Sequence, residues 1–260
     1  MAQKKIVVAN WKMAPDTLKE AKALYLAERK TATGLRRVQT IICPPVIYLH
    51  SLSTPYALRP TPALGAQSCF HLKSGAHTGA LSAEMMARAG ARYVLVGHSE
   101  RRAEGESSVQ VAMQVNAVFD AGATPILCVG ERERDEHGFF LKYLEDQLIE
   151  SLHGVSKKRI GMLIIAYEPL WAISSEQLRP ATPKESEQMA LYLRKLLASK
   201  IGLKAAREAL ILYGGSVDVK NCEAFLREGG VGGLLVGRAS LDAKQFGEIL
   251  KIAERAPQLH

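Results

Sequence analysis

The chain of 260 residues is poor in cysteine and in aromatics: it has four cysteines, and Phe, Trp and Tyr make up 6%. Cys43, Cys69, Cys128 and Cys222 form no Cys-x-x-Cys pair, and the seven histidines are dispersed. A disulfide scaffold and a clustered metal site are therefore excluded, and no metal is expected. Cys43 and Cys128 lie in apolar runs and read as buried, reduced thiols of a cytosolic protein. No apolar run reaches the roughly 18 residues that a membrane helix needs. Met1–Lys5 is followed by only Ile6–Ala9, too short for a signal-peptide core. Neither a Gly-x-Gly-x-x-Gly after the first apolar run nor a P-loop is present. The net charge of +8 suits a small anionic substrate, and by itself would suit nucleic acid. The basic residues are scattered, however, and the longest run, Lys157-Lys158-Arg159, reads as a solvated turn.

What is present is alternation. Eight short apolar runs stand out: Ile6–Ala9, Val38–Ile42, Leu64–Ala66, Tyr93–Gly97, Pro125–Val129, Met162–Tyr167, Leu210–Tyr213 and Gly233–Val236. They lack apolar/polar alternation, as strands buried on both faces do. Helical segments lie between them: Thr17–Lys30, Val109–Ala121, Phe140–Leu152, Lys184–Lys200, Asn221–Arg227 and Asp242–Arg255. In the first, Leu18, Ala21, Leu24 and Leu26 form the expected buried stripe. Pro15-Asp16, Thr182-Pro183 and Ser240-Leu241-Asp242 mark helix starts, and Gly90, Gly122 and Gly202 mark stops. Without a break in composition, the pattern predicts an α/β fold, a single (β/α)8 barrel domain spanning 1–260; an open doubly wound sheet is the alternative.

Such a barrel carries its chemistry at the carboxyl ends of its strands. The first ends in Asn10-Trp11-Lys12; side chains two apart share a face, so Asn10 and Lys12 point into the mouth while Trp11 packs outward. The fourth ends in Gly97-His98-Ser99-Glu100-Arg101-Arg102, with Ser99 placed to cap a helix whose amino end favours a neutral imidazole at His98. The sixth ends in Tyr167-Glu168-Pro169, and a carboxylate there is costly to bury unpaired and a candidate general base. The seventh and eighth end in Gly214-Gly215-Ser216 and Val236-Gly237-Arg238, glycine-rich turns whose N–H groups suit an anion.

These motifs, in their joint order, resemble the triosephosphate isomerase family along the whole chain. The matching stretches are Asn10–Lys12, Val96–Arg102, Cys128–Glu131, Ala166–Ile173, Tyr213–Val217, Leu235–Gly237 and Ala239–Leu241. The resemblance implies interconversion of dihydroxyacetone phosphate and glyceraldehyde 3-phosphate, without metal or cofactor. It implies Glu168 as base, neutral His98 as electrophile and proton shuttle, Lys12 as the positive charge beside the oxyanion, and Asn10 as a hydrogen-bond donor to substrate. It further implies phosphate contacts from Ser174, Ser216 and Gly237, supporting roles for Glu100 and Cys128, an apolar clamp from Ile173 and Leu235, and a water-excluding lid after Glu168. The loop Phe70–Leu81 resembles the segment that joins two subunits, so a homodimer is expected; neither nucleic acid nor membrane is an expected partner.

The chain departs from the family in five places. After Ile173 the usual Gly-Thr-Gly-Lys is replaced by Ser174-Ser175-Glu176-Gln177-Leu178-Arg179, and the lid is longer by two residues. Arg238 stands where a second glycine is usual and is expected to give the phosphate a two-pronged partner. Ala80 replaces a usual Glu and Ser68 a usual Asn, which predicts a weaker subunit interface; the turn after Arg102 is one residue shorter. The altered lid leaves two competing readings open: a phosphosugar-binding barrel of weak or no activity, or an isomerase of another small phosphosugar.

Overall fold

A computed structural model describes residues 4–53, 62–173 and 179–257. The eight strands are β1 Lys5–Asn10, β2 Val38–Cys43, β3 Ala63–Ala66, β4 Tyr93–Val96, β5 Thr124–Val129, β6 Ile164–Tyr167, β7 Leu210–Tyr213 and β8 Gly233–Val236. All neighbours pair in parallel in the order β1 to β8, and β8 closes on β1, with Val8 opposite Leu235. The open-sheet alternative is thereby set aside.

The helices described are α1 Leu18–Ala32, α2 Val46–Ser53, α3 Ala83–Arg88, α4 Ser99–Ala103, α5 Ser108–Asp120, α6 Phe139–Ser151, α7 Lys157–Ile160, α8 Pro183–Lys200, α9 Leu203–Glu208, α10 Cys222–Glu228 and α11 Ala243–Arg255. Local chemistry sets their starts. Thr182 and Glu185 form a reciprocal capping box with Pro183 in the first turn, and Asp242 caps α11 through the Lys244 and Gln245 amides. Pro15-Asp16 does not start α1; Thr17 does, in a capping box with Glu20. The predicted stripe on α1 is also corrected. Ala21, Tyr25, Glu28 and Ala32 are buried, whereas Leu18 and Leu26 are exposed. Lys157-Lys158-Arg159 is not a plain turn but the short helix α7, capped by Ser156.

The strands split the core in two. Val8, Ile41, Cys43, Leu95, Ile126, Cys128, Ile164, Ala166, Leu212 and Leu235 fill the barrel interior. Their neighbours one residue along, such as Ile42, Val94, Leu127, Ile165 and Ile211, pack against the helices. This two-residue period explains why the strands read as continuously apolar: each face has its own core. It also decides which residues at the strand ends face the mouth.

Candidate active site at the carboxyl rim

The inward parity of β1 carries from Val8 to Asn10, which is 5% exposed. Trp11 faces outward and is fully buried, its Nε1–H donating to Glu28 Oε1 at 3.3 Å. Lys12 then adopts φ 52°, in the left-handed region that costs a side-chain-bearing residue about 1–2 kcal/mol. Three contacts hold this turn. The Lys12 N–H donates to Asn10 Oδ1 at 3.1 Å, and Gln67 Nε2 donates to both Lys12 O at 2.8 Å and Cys43 O at 2.9 Å. The Lys12 ammonium ends 2.6 Å from Glu100 Oε1.

His98 does not reach the mouth by parity. Leu95 faces the interior and Val94 and Val96 face the helices, so a continuing strand would turn His98 outward. Gly97 interrupts it at φ 67°, a conformation natural to glycine. His98, not Ser99, then caps α4: its Nδ1 accepts from the Glu100 N–H at 3.2 Å. With Nδ1 engaged at the start of α4, Nε2 is the ring nitrogen that faces the mouth. Nε2 lies 3.2 Å from Glu168 Oε1 and 3.3 Å from Asn10 Nδ2.

Glu168 continues the inward face of Ile164 and Ala166 and is 2% exposed. Its backbone N–H donates to Val129 O at 2.8 Å, and its Oε2 accepts from the Ser99 N–H at 2.9 Å. Ser99 thus serves through its backbone rather than as the predicted cap. The chain at Glu168 presses so closely on β5 that a Cβ at Gly130 would stand 1.8 Å from Glu168 O. Cys128 lies beneath the base; burial pushes its thiol well above the usual range, and the Glu168 charge pushes it further. A Cβ at Gly214 would meet Glu168 Cγ at 3.1 Å and Leu235 Cδ2 at 3.4 Å, so Leu235 is close to the base. Ile173 is half-buried, its N–H donating to Leu170 O at 3.1 Å.

The predicted anion side lies next to these groups. A Cβ on Gly237 would stand 3.5 Å from Lys12 Cε, and Ser240 caps the Gly237 carbonyl through Oγ at 2.7 Å. Ser216 is exposed after β7, its carbonyl accepting from Asn221 Nδ2 at 2.9 Å. Arg238 is exposed at the first position of a 3₁₀ turn, Arg238–Leu241. Ser174 and Glu176 lie outside the described residues. The structure therefore brings together Asn10, Lys12, His98, Glu100, Glu168, Cys128, Leu235 and Gly237. Sequence reasoning missed Gln67, although it directly follows the third apolar run, the same signal that found the others. It also missed the partners of Glu131: Tyr167 Oη at 2.7 Å, Trp171 Nε1 at 2.8 Å and Arg134 Nε at 3.1 Å.

A closed parallel barrel with a buried carboxylate, an imidazole and an ammonium on its carboxyl rim defines a (β/α)8-barrel enzyme whose polar groups suit proton transfer. Comparison with known proteins makes this particular. A family model described as Triosephosphate isomerase matches residues 5–253. The triosephosphate isomerase of Dehalococcoides mccartyi is 40% identical over 95% of this chain and 96% of its own. That of Aquifex aeolicus is 37% identical over 95% and 98%, and that of Rhodopirellula baltica 34% over 98% and 100%. The chain belongs to the triosephosphate isomerase family.

Proposed function

We propose that the protein, one barrel domain over 1–260, interconverts dihydroxyacetone phosphate and glyceraldehyde 3-phosphate through an enediolate. The observation that carries this reading is the convergence of Glu168, His98 and Asn10 within 3.3 Å contacts, in a chain whose family match spans the whole barrel. Glu168 takes the proton from the carbon beside the carbonyl, and its buried setting keeps water from competing for it. His98 presents Nε2–H to the substrate oxygens, donating as charge develops there and returning a proton to the other oxygen. Lys12 adds positive charge beside the same oxygens and Asn10 adds an N–H donor. Ser216, Gly237 and Ser174 hold the phosphate, which Arg238, exposed beside Gly237, grips from the solvent side. These roles involve no metal or cofactor. Substrate entry displaces Glu168 from the Ser99 N–H and Lys12 from Glu100, since both groups are paired to protein here.

The protein acts as a homodimer in the cytoplasm. Met13 (95% exposed), Ile47 (73%) and Met85 (50%) support the dimer. The loop Phe70–Leu81 itself borders a cavity of about 320 Å³ lined by Val46, Gln67, Phe70, Leu81, Glu106 and Gln114. Four free, buried cysteines suit a reducing compartment. Among the described residues no helix is long and apolar enough to cross a membrane.

The decisive test is a coupled assay of glyceraldehyde 3-phosphate conversion. Wild type should turn over, and Glu168→Gln should lose at least a thousandfold in kcat with its circular dichroism unchanged. A Glu168→Gln protein that stays within tenfold of wild type refutes the assignment. Sedimentation showing only monomer at micromolar concentration refutes the dimer.

A further inference from the structure

The chain leaves β6 through Glu168 and a 3₁₀ turn, Leu170–Ala172, and enters α8 through Arg179–Thr182. Side chains from the two sides of residues 174–178 meet. The Arg179 guanidinium carbon lies 4.9 Å from the centre of the Trp171 ring, and its two nitrogens pair with both oxygens of Glu185, Nη1 to Oε2 at 3.0 Å. Arg134 reaches the same indole at 5.0 Å, and its Nη1 lies 3.6 Å from Glu185 Oε1. Trp171 is held in turn by Glu131, which accepts its Nε1–H at 2.8 Å.

Two guanidiniums about one indole repel each other, and Glu185 offsets that repulsion while also closing the α8 capping box through the Thr182 N–H at 2.8 Å. Its hydrogen bond from Arg179 holds the Glu185 carboxyl down at about 2, so the charge persists across the physiological range. Arg179 itself is exposed, and exposed ion pairs contribute little to stability. Its effect lies instead in what it fixes. Trp171 is three residues beyond the base, in a stretch tied to β5 by Leu170 N–H to Glu131 O at 3.0 Å.

We propose that Arg179 and Glu185 are positioning residues for the isomerisation: together they clamp Trp171 and tie the chain that follows Glu168 to the start of α8. Neither touches the reacting groups. They act by holding the backbone next to the base, whose angle to the substrate carbon governs the rate of proton removal. This inference rests on the isomerase reading above and extends it to residues outside the rim.

The test uses Arg179→Met, Arg179→Lys and Glu185→Gln in the full-length protein; Gln retains the capping box. Steady-state kinetics are combined with acrylamide quenching of tryptophan fluorescence. Trp11 is fully buried, so quenching reports Trp171. Arg179→Met and Glu185→Gln should each lower kcat roughly tenfold, with KM changed less, and should raise the quenching of Trp171. Arg179→Lys, which keeps the charge and loses the fork, should recover part of the kcat. Wild-type kcat in both variants, or a loss of kcat with quenching unchanged, overturns the proposal. An inactive wild type overturns the isomerase reading itself, and the two failures are thereby told apart.

Discussion

Glu28 is a carboxyl group with no exposed surface, on the buried stripe of α1. Its Oε1 accepts the Trp11 indole N–H at 3.3 Å, and its Oε2 has no hydrogen-bond partner among the described residues. Burial raises its pKa to about 9, with the Trp11 hydrogen bond opposing only weakly. The sign follows from proton counting. In the unfolded chain the group ionises near its ordinary 4.5, whereas the folded protein keeps the proton up to about 9. Between those values the native state binds more protons, so its stability falls as pH rises. The full contribution is present below about 4.5 and has been lost once pH passes about 9. The slope is about 1.4 kcal/mol per pH unit, so from pH 6 to 8 wild type should lose about 3 kcal/mol through this one group. Glu28→Gln removes the titration. Its amide places two N–H donors where the protonated carboxyl has one O–H, at a cost of about 1–3 kcal/mol, but that cost does not vary with pH. Urea unfolding of both proteins at pH 6, 7 and 8, at one fixed protomer concentration, isolates the effect. The stability difference should shift in favour of Glu28→Gln by about 1.4 kcal/mol per unit. Parallel pH curves for the two proteins would show that Glu28 is ionised in the fold and would refute the reasoning. The consequence reaches the site, since the Glu28–Trp11 contact lies between Asn10 and Lys12.

Further outcomes follow from the same geometry. Gly97→Ala places a side chain at φ 67°, with its Cβ 2.7 Å from Arg102 Nη2, and should cost about 1–2 kcal/mol and lower kcat by turning His98; unchanged thermal unfolding and kcat would count against the turn argument. Gly130→Ala meets backbone rather than a movable side chain, at 1.8 Å, and should yield little soluble protein; normal expression with full activity would contradict the close approach at Glu168. Arg238→Gly should raise KM, and an equal or lower KM would remove Arg238 from the phosphate site. All four cysteines are buried and free, and burial raises Cys43 and Cys128 far above the usual thiol range, so a thiol reagent should label the folded protein slowly and the urea-unfolded protein fully. Rapid labelling of one thiol in the native state would refute that burial.

The sequence by itself determined the barrel and most of its rim. Runs apolar on both faces with helices between them leave few arrangements other than a closed parallel sheet. The two-residue strand period placed Asn10 on the inward face of Val8, and Glu168 stood out as a carboxylate ending an apolar run, whereas Lys12, read by the same period, lies in a left-handed turn beyond the strand. The tertiary structure alone decided what breaks that period or crosses between elements. Gly97 redirects His98 against the parity of β4, and Gln67, just after β3, props the left-handed turn at Lys12. Tyr25 and Glu28 displace Leu18 and Leu26 from the buried stripe of α1, because the face a helix buries is chosen by what it packs against and not by hydrophobicity alone. The cluster of Arg134, Trp171, Arg179 and Glu185 draws on three separate stretches of chain. A strand's period is local and can be read along the chain, but contacts between segments exist only once the closed barrel has fixed their distance.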